Sequence, residues 1–129
     1  MVDTAEPFIA VVDDESPVRT MLGRVLALAG HRVAPFATGE AFLASLDTGL
    51  PACAIVDIHM PGIDGLEVLA RLRRAGLAVP LVFITASDDA ALDQAAGAAG
   101  AIGLLRKPFS SDALLEAVAT ALAGGASGT

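Results

Sequence analysis

The chain has 129 residues, 15 acidic and 8 basic side chains, a formal charge of −7 and 54% hydrophobic content, which describes one globular domain and leaves no length for two. The acidic balance excludes the diffuse basic footprint that nucleic acid or anionic membrane surfaces require, and no apolar run approaches the length of a membrane span. The lone Cys53 cannot form an internal disulfide, and the acidic start MVDTAEPF lacks the basic and apolar regions of a signal peptide, so a cytoplasmic location is expected.

Taken in chain order, short apolar runs of strand length alternate with longer segments of helical period, the pattern of an α/β fold with a parallel sheet covered by helices. Phe8 to Val12 is the first expected strand, a continuous apolar run of the kind buried on both faces. Ser16 before Pro17 reads as an N-cap with proline at the first helical position, leading into Val18, Met21, Leu22, Val25 and Leu28 on one face. Val33 to Phe36 is the second strand, and its Pro35, which cannot donate to a ladder, favours an edge. Thr38 opens the second helix. Cys53 to Val56 is the third strand, with Cys53 packed as a small hydrophobe.

Asp64 with Glu67 three residues on resembles a capping box ahead of Leu66, Leu69, Ala70 and Leu72. Arg71, Arg73 and Arg74 fall on the wet face of that third helix, with a partner-binding role as the alternative. Leu81 to Thr85 is the fourth strand, and Ser87 opens a fourth helix over Asp88 to Ala99. That helix is the weakest and is expected to be mobile, because Leu92 is its one large apolar residue and Gly97 costs about 1 kcal/mol relative to alanine. Ala101 to Leu105 is the fifth strand. Ser110 or Ser111 opens the last helix, whose Leu115, Val118 and Leu122 recur at helical spacing until Gly124 and Gly125 end it. The expected organisation is an N-terminal extension over 1–7, a single domain over 8–123 and a flexible tail over 124–129.

Ligands of open α/β sheets bind outside the carboxyl ends of the strands, which makes the residues just after each apolar run informative. The first strand ends in Asp13-Asp14, the third in Asp57, the fourth in Thr85, and the fifth shortly before Lys107, the only lysine against seven arginines. If these strands are neighbours, three carboxylates, a hydroxyl and an ammonium converge on one crevice. Two unit charges 4 Å apart repel by about 4 kcal/mol at an effective dielectric near 20, so such a trio takes up either a proton or a divalent cation. Magnesium suits it, since it uses one or two carboxylates and a phosphate oxygen while keeping several waters. A carboxylate can then attack a phosphoryl group, and Asp57, exposed at a strand tip before the turn Met60-Pro61-Gly62, is the candidate nucleophile. Taken one at a time these residues read as an acidic turn, a strand-end hydroxyl and a surface charge; the combination carries the assignment.

The segments VVDDES at 11 to 16, VDIHMPGIDGLEVL at 56 to 69, FITAS at 83 to 87 and LLRKPF at 104 to 109 resemble the receiver domain of two-component response regulators, with the fold of CheY and motifs of the FixJ type. The resemblance covers about Phe8 to Leu122 and implies a flavodoxin-like five-stranded sheet of order 2-1-3-4-5 with five helices on two faces. It implies further that Asp57 accepts a phosphoryl group from a sensor histidine kinase or a phosphotransfer protein. Asp14, Asp57 and the backbone carbonyl of His59 would hold Mg2+, for which Mn2+ can substitute, with Asp13 acting through water. Thr85 and Lys107 would contact the phosphoryl group, and the Lys107–Pro108 bond would be cis, as is often so in the family. The His59 side chain either shades the phosphoryl group or is an ordinary loop residue. The surface of the fourth helix, fifth strand and fifth helix would change on phosphorylation and serve a homodimer, a partner or an attached output domain. The domain itself would be a switch rather than an enzyme, taking phosphate from small donors and losing it again unaided.

One position departs from the pattern: Leu104 stands where receivers commonly carry phenylalanine or tyrosine, which directs the expected signal through the loop after Thr85 and the fourth helix. It also leaves open a phosphate-independent interaction module. A haloacid-dehalogenase-like phosphatase would want a second aspartate where His59 stands. A flavin carrier would want a neutral phosphate loop where Asp13 and Asp14 stand.

Overall fold

Successive residues of a strand point to opposite faces of its sheet, so a continuous apolar run feeds two cores at once. The computed structural model describes residues 7–126 and shows this division in each central strand. The strands are β1 (Phe8–Val12), β2 (Arg32–Phe36), β3 (Cys53–Asp57), β4 (Leu81–Thr85) and β5 (Gly103–Arg106), all parallel, in the order β2-β1-β3-β4-β5. The helices are α1 (Ser16–Leu28), α2 (Gly39–Ser45), α3 (Gly65–Arg74), α4 (Ala90–Ala99) and α5 (Ser111–Ala126), with a 3-10 turn over Leu46–Thr48.

Ile9, Val11, Ile55, Val82 and Ile84 face one side and pack against Leu22 and Leu26 of α1 and Leu114 and Val118 of α5. Their neighbours Ala10, Val12, Val56, Leu81 and Phe83 face the other and pack against Phe42 of α2, Val68, Leu69 and Leu72 of α3, and Ala96 of α4. This is the flavodoxin-like fold, with two helices on one face and three on the other. Each fully buried leucine or phenylalanine contributes about 1.5–3 kcal/mol, and the two clusters together hold the strand ends in register. β2 lies at the edge, where Pro35 needs no ladder partner on its outer side. Cys53 is wholly buried, and burial pushes its thiol up to about 11.

Several helix ends differ from the expected ones. Ser16 is the first residue of α1 and does not cap it; Glu15 holds the cap position without a side-chain cap bond. The carboxylate that would reach forward belongs to Asp13, which accepts from the Glu15 amide at 2.9 Å and so stabilises the turn before the helix. Thr38 does cap α2, accepting from Ala41 N at 3.0 Å. Asp64 caps α3 through Glu67 N at 2.8 Å, but the reciprocal half of the box is absent because the Glu67 carboxylate binds Arg71 and Arg74 instead. Those two hydrogen bonds, Arg71 first, lower the Glu67 carboxyl below its usual range. Arg73 donates to the carbonyls of Leu77 and Gly100.

α4 begins at Ala90 rather than at Asp88, capped by Asp89 through Ala91 N at 2.9 Å, because Ser87 folds the preceding loop by accepting from Asp89 N. Ser110 rather than Ser111 caps α5, through Ala113 N at 3.0 Å. Gly124 and Gly125 do not end α5, which continues to Ala126. β5 starts two residues later than expected and runs through Arg106, since Ala101 N instead bonds the end of α4. Residues 1–6 of the expected extension and 127–129 of the expected tail lie outside the described residues.

Candidate functional site

In a parallel sheet all strand C-termini lie on one edge, so Asp13 after β1, Asp57 at the end of β3, Thr85 at the end of β4 and Lys107 after β5 meet there. Asp13 and Thr85 are fully buried and Asp14 is open to solvent; Asp57, expected to be exposed at the strand tip, is only 4% exposed because it is still part of the buried strand β3. One oxygen from each of Asp13, Asp14 and Asp57 lies within 4.8 Å of the other two. Lys107 Nζ stands 3.4 Å from Asp57 Oδ2, 3.3 Å from Asp13 Oδ2 and 3.2 Å from Glu15 Oε1.

Glu15 was not singled out by sequence reasoning as a partner of the lysine. Its place beside Asp13-Asp14 was the only hint, because a contact across 92 positions is written in no local pattern. The Lys107–Pro108 peptide is cis, and Lys107 N donates to Thr85 O at 2.8 Å, which ties the lysine to the tip of β4.

The electrostatics follow from this packing. Burial is the largest influence on Asp57 and raises its carboxyl above the usual range, and the charge of Asp13 adds to the rise; Lys107 and the His59 amide act against both. Burial alone would lower the Lys107 ammonium, but Asp57, Glu15 and Asp13 more than offset that and hold it above its usual value. The His59 amide donates to Asp57 Oδ1 at 3.1 Å while the His59 side chain faces solvent. That leaves Asp57 Oδ2 toward the lysine.

Asp13 Oδ2 is buried without a hydrogen-bond partner; Lys107 is in ion-pair range of it but not aligned to donate. A buried carboxylate oxygen in that condition is costly unless something else coordinates it. Together with two further carboxylates within 4.8 Å, it gives a set of hard oxygen donors that fits a divalent cation.

Thr85 sits one position beyond Ile84, the register partner of Asp57, and its Oγ1 accepts from Ser87 N at 3.0 Å. Its proton remains available to an acceptor in the crevice. Gly65, also not foreseen, opens α3 directly beneath the site. A Cβ there would lie 2.6 Å from the Asp57 carbonyl oxygen and 2.9 Å from Ile58 Cα, so only glycine lets the helix start this close to the end of β3. Its amide donates to Ile58 O at 2.8 Å, which anchors the loop of His59 to Asp64 over the crevice.

Fold and site together define a class of protein, the flavodoxin-like switches of two-component signalling, which are not enzymes in the ordinary sense. The family model for the response regulator receiver domain matches residues 9–119, and the chain belongs to that family. It is 36% identical over 118 residues to the C4-dicarboxylate transport transcriptional regulatory protein DctD of Pseudomonas aeruginosa, covering 92% of this chain and 26% of that protein. It is 34% identical over 119 residues to the transcriptional regulatory protein FixJ of Bradyrhizobium diazoefficiens, covering 92% of this chain and 58% of that protein. The crystal structure of FixJ-N superposes with a TM-score of 0.85 at 31% identity, covering 93% of this chain and 96% of that one. The chain thus spans about a quarter to three fifths of these relatives' length.

Proposed function

We propose that Asp57 is the phosphoacceptor of this receiver and that Asp13, Asp14, Thr85 and Lys107 serve its phosphorylation. The observation that carries the proposal is the cluster of three carboxylates within 4.8 Å beside a single lysine at the carboxyl edge of the sheet. Asp57 Oδ2, the oxygen that faces Lys107 rather than the His59 amide, attacks the phosphorus of a phosphohistidine. The new O–P bond forms as the N–P bond breaks, and the electron pair leaves with the imidazole nitrogen of a sensor histidine kinase or phosphotransfer protein.

Lys107 exchanges its contact with Asp57 for a phosphoryl oxygen, and Thr85 donates its hydroxyl proton to another. Mg2+, or Mn2+ in its place, is the cation proposed for the donor set of Asp13, Asp14, Asp57 and the His59 carbonyl, where it would neutralise charge on the transferring oxygens. The same residues would serve a small phosphodonor, and water would later release the phosphate.

Phosphorylation adds about −1.5 to −2 charge units beside buried carboxylates, which biases the domain between two conformations. The proposed output is a change at the α4-β5-α5 surface that controls a partner, a second copy of the chain or an attached output domain. We propose that this switch runs from residue 8 through the end of α5 at Ala126, three residues beyond the expected end at 123, and that it works in the cytoplasm. Acetyl phosphate with magnesium should add one phosphoryl mass to the intact protein. Absence of that addition in the wild type, or its persistence in Asp57→Asn, would overturn the assignment.

A further inference from the structure

Thr85 and Arg106 are register partners on β4 and β5, so their Cα atoms are neighbours across the ladder and their side chains leave the same face of the sheet. Phe83 and Leu104, two positions earlier on each strand, pack in the cluster shared with α3 and α4, which identifies that face. The Arg106 guanidinium reaches out along it. Its Nε donates to the Ser87 carbonyl at 3.0 Å, and its Nη2 pairs with the carboxylate of Asp93 in the first turn of α4. The Ser87 amide in turn donates to Thr85 Oγ1 at 3.0 Å. One side chain therefore joins the hydroxyl at the tip of β4, the loop after it and the start of α4.

Apart from this strap, α4 is held by Ala96 and by the half-buried Leu92 and Ala99, which pack on the same cluster. Ala96 is its one buried residue, and a groove of about 290 Å³ runs between α4 and β5, lined by Ala96, Gly97 and Leu104 with Asp93 and Arg106. Small side chains leave that groove open, and the Arg106–Asp93 pair is the polar strap across it. Half-exposed ion pairs add little to stability, so the importance of this one lies in what it connects. A guanidinium is a planar fork with fixed angles between its donors, so a shift of the Ser87 carbonyl at Nε is transmitted to the partner of Nη2.

We infer that Arg106 is the positioning residue that couples Thr85 to α4, passing the state of the acidic site through the Ser87 loop to Asp93. The inference rests on the phosphoacceptor reading of Asp57 and names how that state leaves the site in a chain with Leu104 in β5. When the Thr85 hydroxyl turns to donate to a phosphoryl oxygen, the Ser87 amide bonded to it must follow. The Ser87 carbonyl then moves against Arg106, and the first turn of α4 is drawn or released with it.

The test uses the whole chain with magnesium and beryllofluoride, a phosphoryl mimic. Binding is read by fluorine NMR, and the response of residues 89–99 by hydrogen–deuterium exchange. The wild type should bind and change its exchange in α4. Asp93→Asn, at an exposed position, and Arg106→Ala should keep the bound fluorine signal while the α4 change falls roughly fivefold, the low end of a coupling between two sites. Asp47→Asn, which removes an exposed charge from the 3-10 turn after α2, should leave the response at the wild-type level. A full α4 response in both Asp93→Asn and Arg106→Ala with the mimic bound would overturn the inference. So would a wild type that binds without any change in α4, whereas a wild type that never binds would overturn the phosphoacceptor reading itself.

Discussion

Asp57→Asn should stabilise the metal-free protein and remove most of its response to magnesium. With the three carboxylate oxygens within 4.8 Å of one another, each pair repels by about 3.5 kcal/mol or more at an effective dielectric near 20. Asp57 belongs to two such pairs and is attracted by Lys107 at 3.4 Å, a contact worth about 5 kcal/mol on the same scale. Neutralising it leaves a gain of about 2 kcal/mol. Asp14 is exposed and its share is screened by water, which brings the expected gain to about 1 kcal/mol, or roughly 4 °C in Tm for a domain of this size. Asparagine keeps an oxygen for the His59 amide, so no buried donor is orphaned.

The pH dependence has a definite sign. Burial first, and then Asp13, raises the Asp57 carboxyl above its ordinary value of 3.8, so the folded state holds a proton there that the unfolded chain has lost. Stability from this group therefore falls as pH rises through that window, and the advantage of the variant should vanish as pH is lowered through the raised pKa toward 3.8. Magnesium at one hundred times its dissociation constant should stabilise the wild type by about 2.7 kcal/mol and the variant by much less. Circular dichroism melts in EDTA and in magnesium measure both effects. A variant that melts below the wild type in EDTA at neutral pH, or gains the full magnesium increment, would refute the reasoning.

Gly65→Ala should cost about 1–3 kcal/mol in urea unfolding, because the new methyl collides with backbone at the end of β3, and phosphorylation from acetyl phosphate should fall with it. Thr38→Ala should cost about 1 kcal/mol, whereas Ser16→Ala should stay within about 0.5 kcal/mol; equal losses in denaturant titrations would mean that Ser16 caps α1 after all. The Cys53 thiol, buried and raised to about 11, should resist iodoacetamide in the native state at neutral pH and react once the chain is unfolded. Rapid alkylation of the folded protein would contradict the packing of β3 against α1 and α5.

The fold class, the five strands and the four motif segments were legible in the chain because each depends on local chemistry. Continuous apolar runs, a proline that excludes a central strand, and acids placed just after strands are all short-range features. Helix ends were less legible. Ser16, Ser87 and Ser111 each have the right side chain for a cap, but the cap is decided by which neighbour reaches the orphan amides. Asp13 had already turned the chain before α1, Ser87 was engaged in the loop before α4, and Ser111 is already the first residue of α5, so the cap falls to Ser110 just before it. The glycines at 124 and 125 read as a stop, yet α5 continues past them because helix packing outweighs a propensity cost of about 1 kcal/mol per glycine.

The sequence by itself determined which groups would be available to the site: three aspartates, a threonine and the only lysine, each placed at or just after the end of an apolar run of strand length. Only the tertiary structure decided what those groups do to one another. That Lys107 is shared with Glu15, that one Asp13 oxygen is buried without a hydrogen bond, and that Arg106 spans from the Ser87 loop to α4 all depend on distances between segments far apart in the chain. Charge interactions fall with separation and are scaled by burial, and both quantities come into being when the sheet closes.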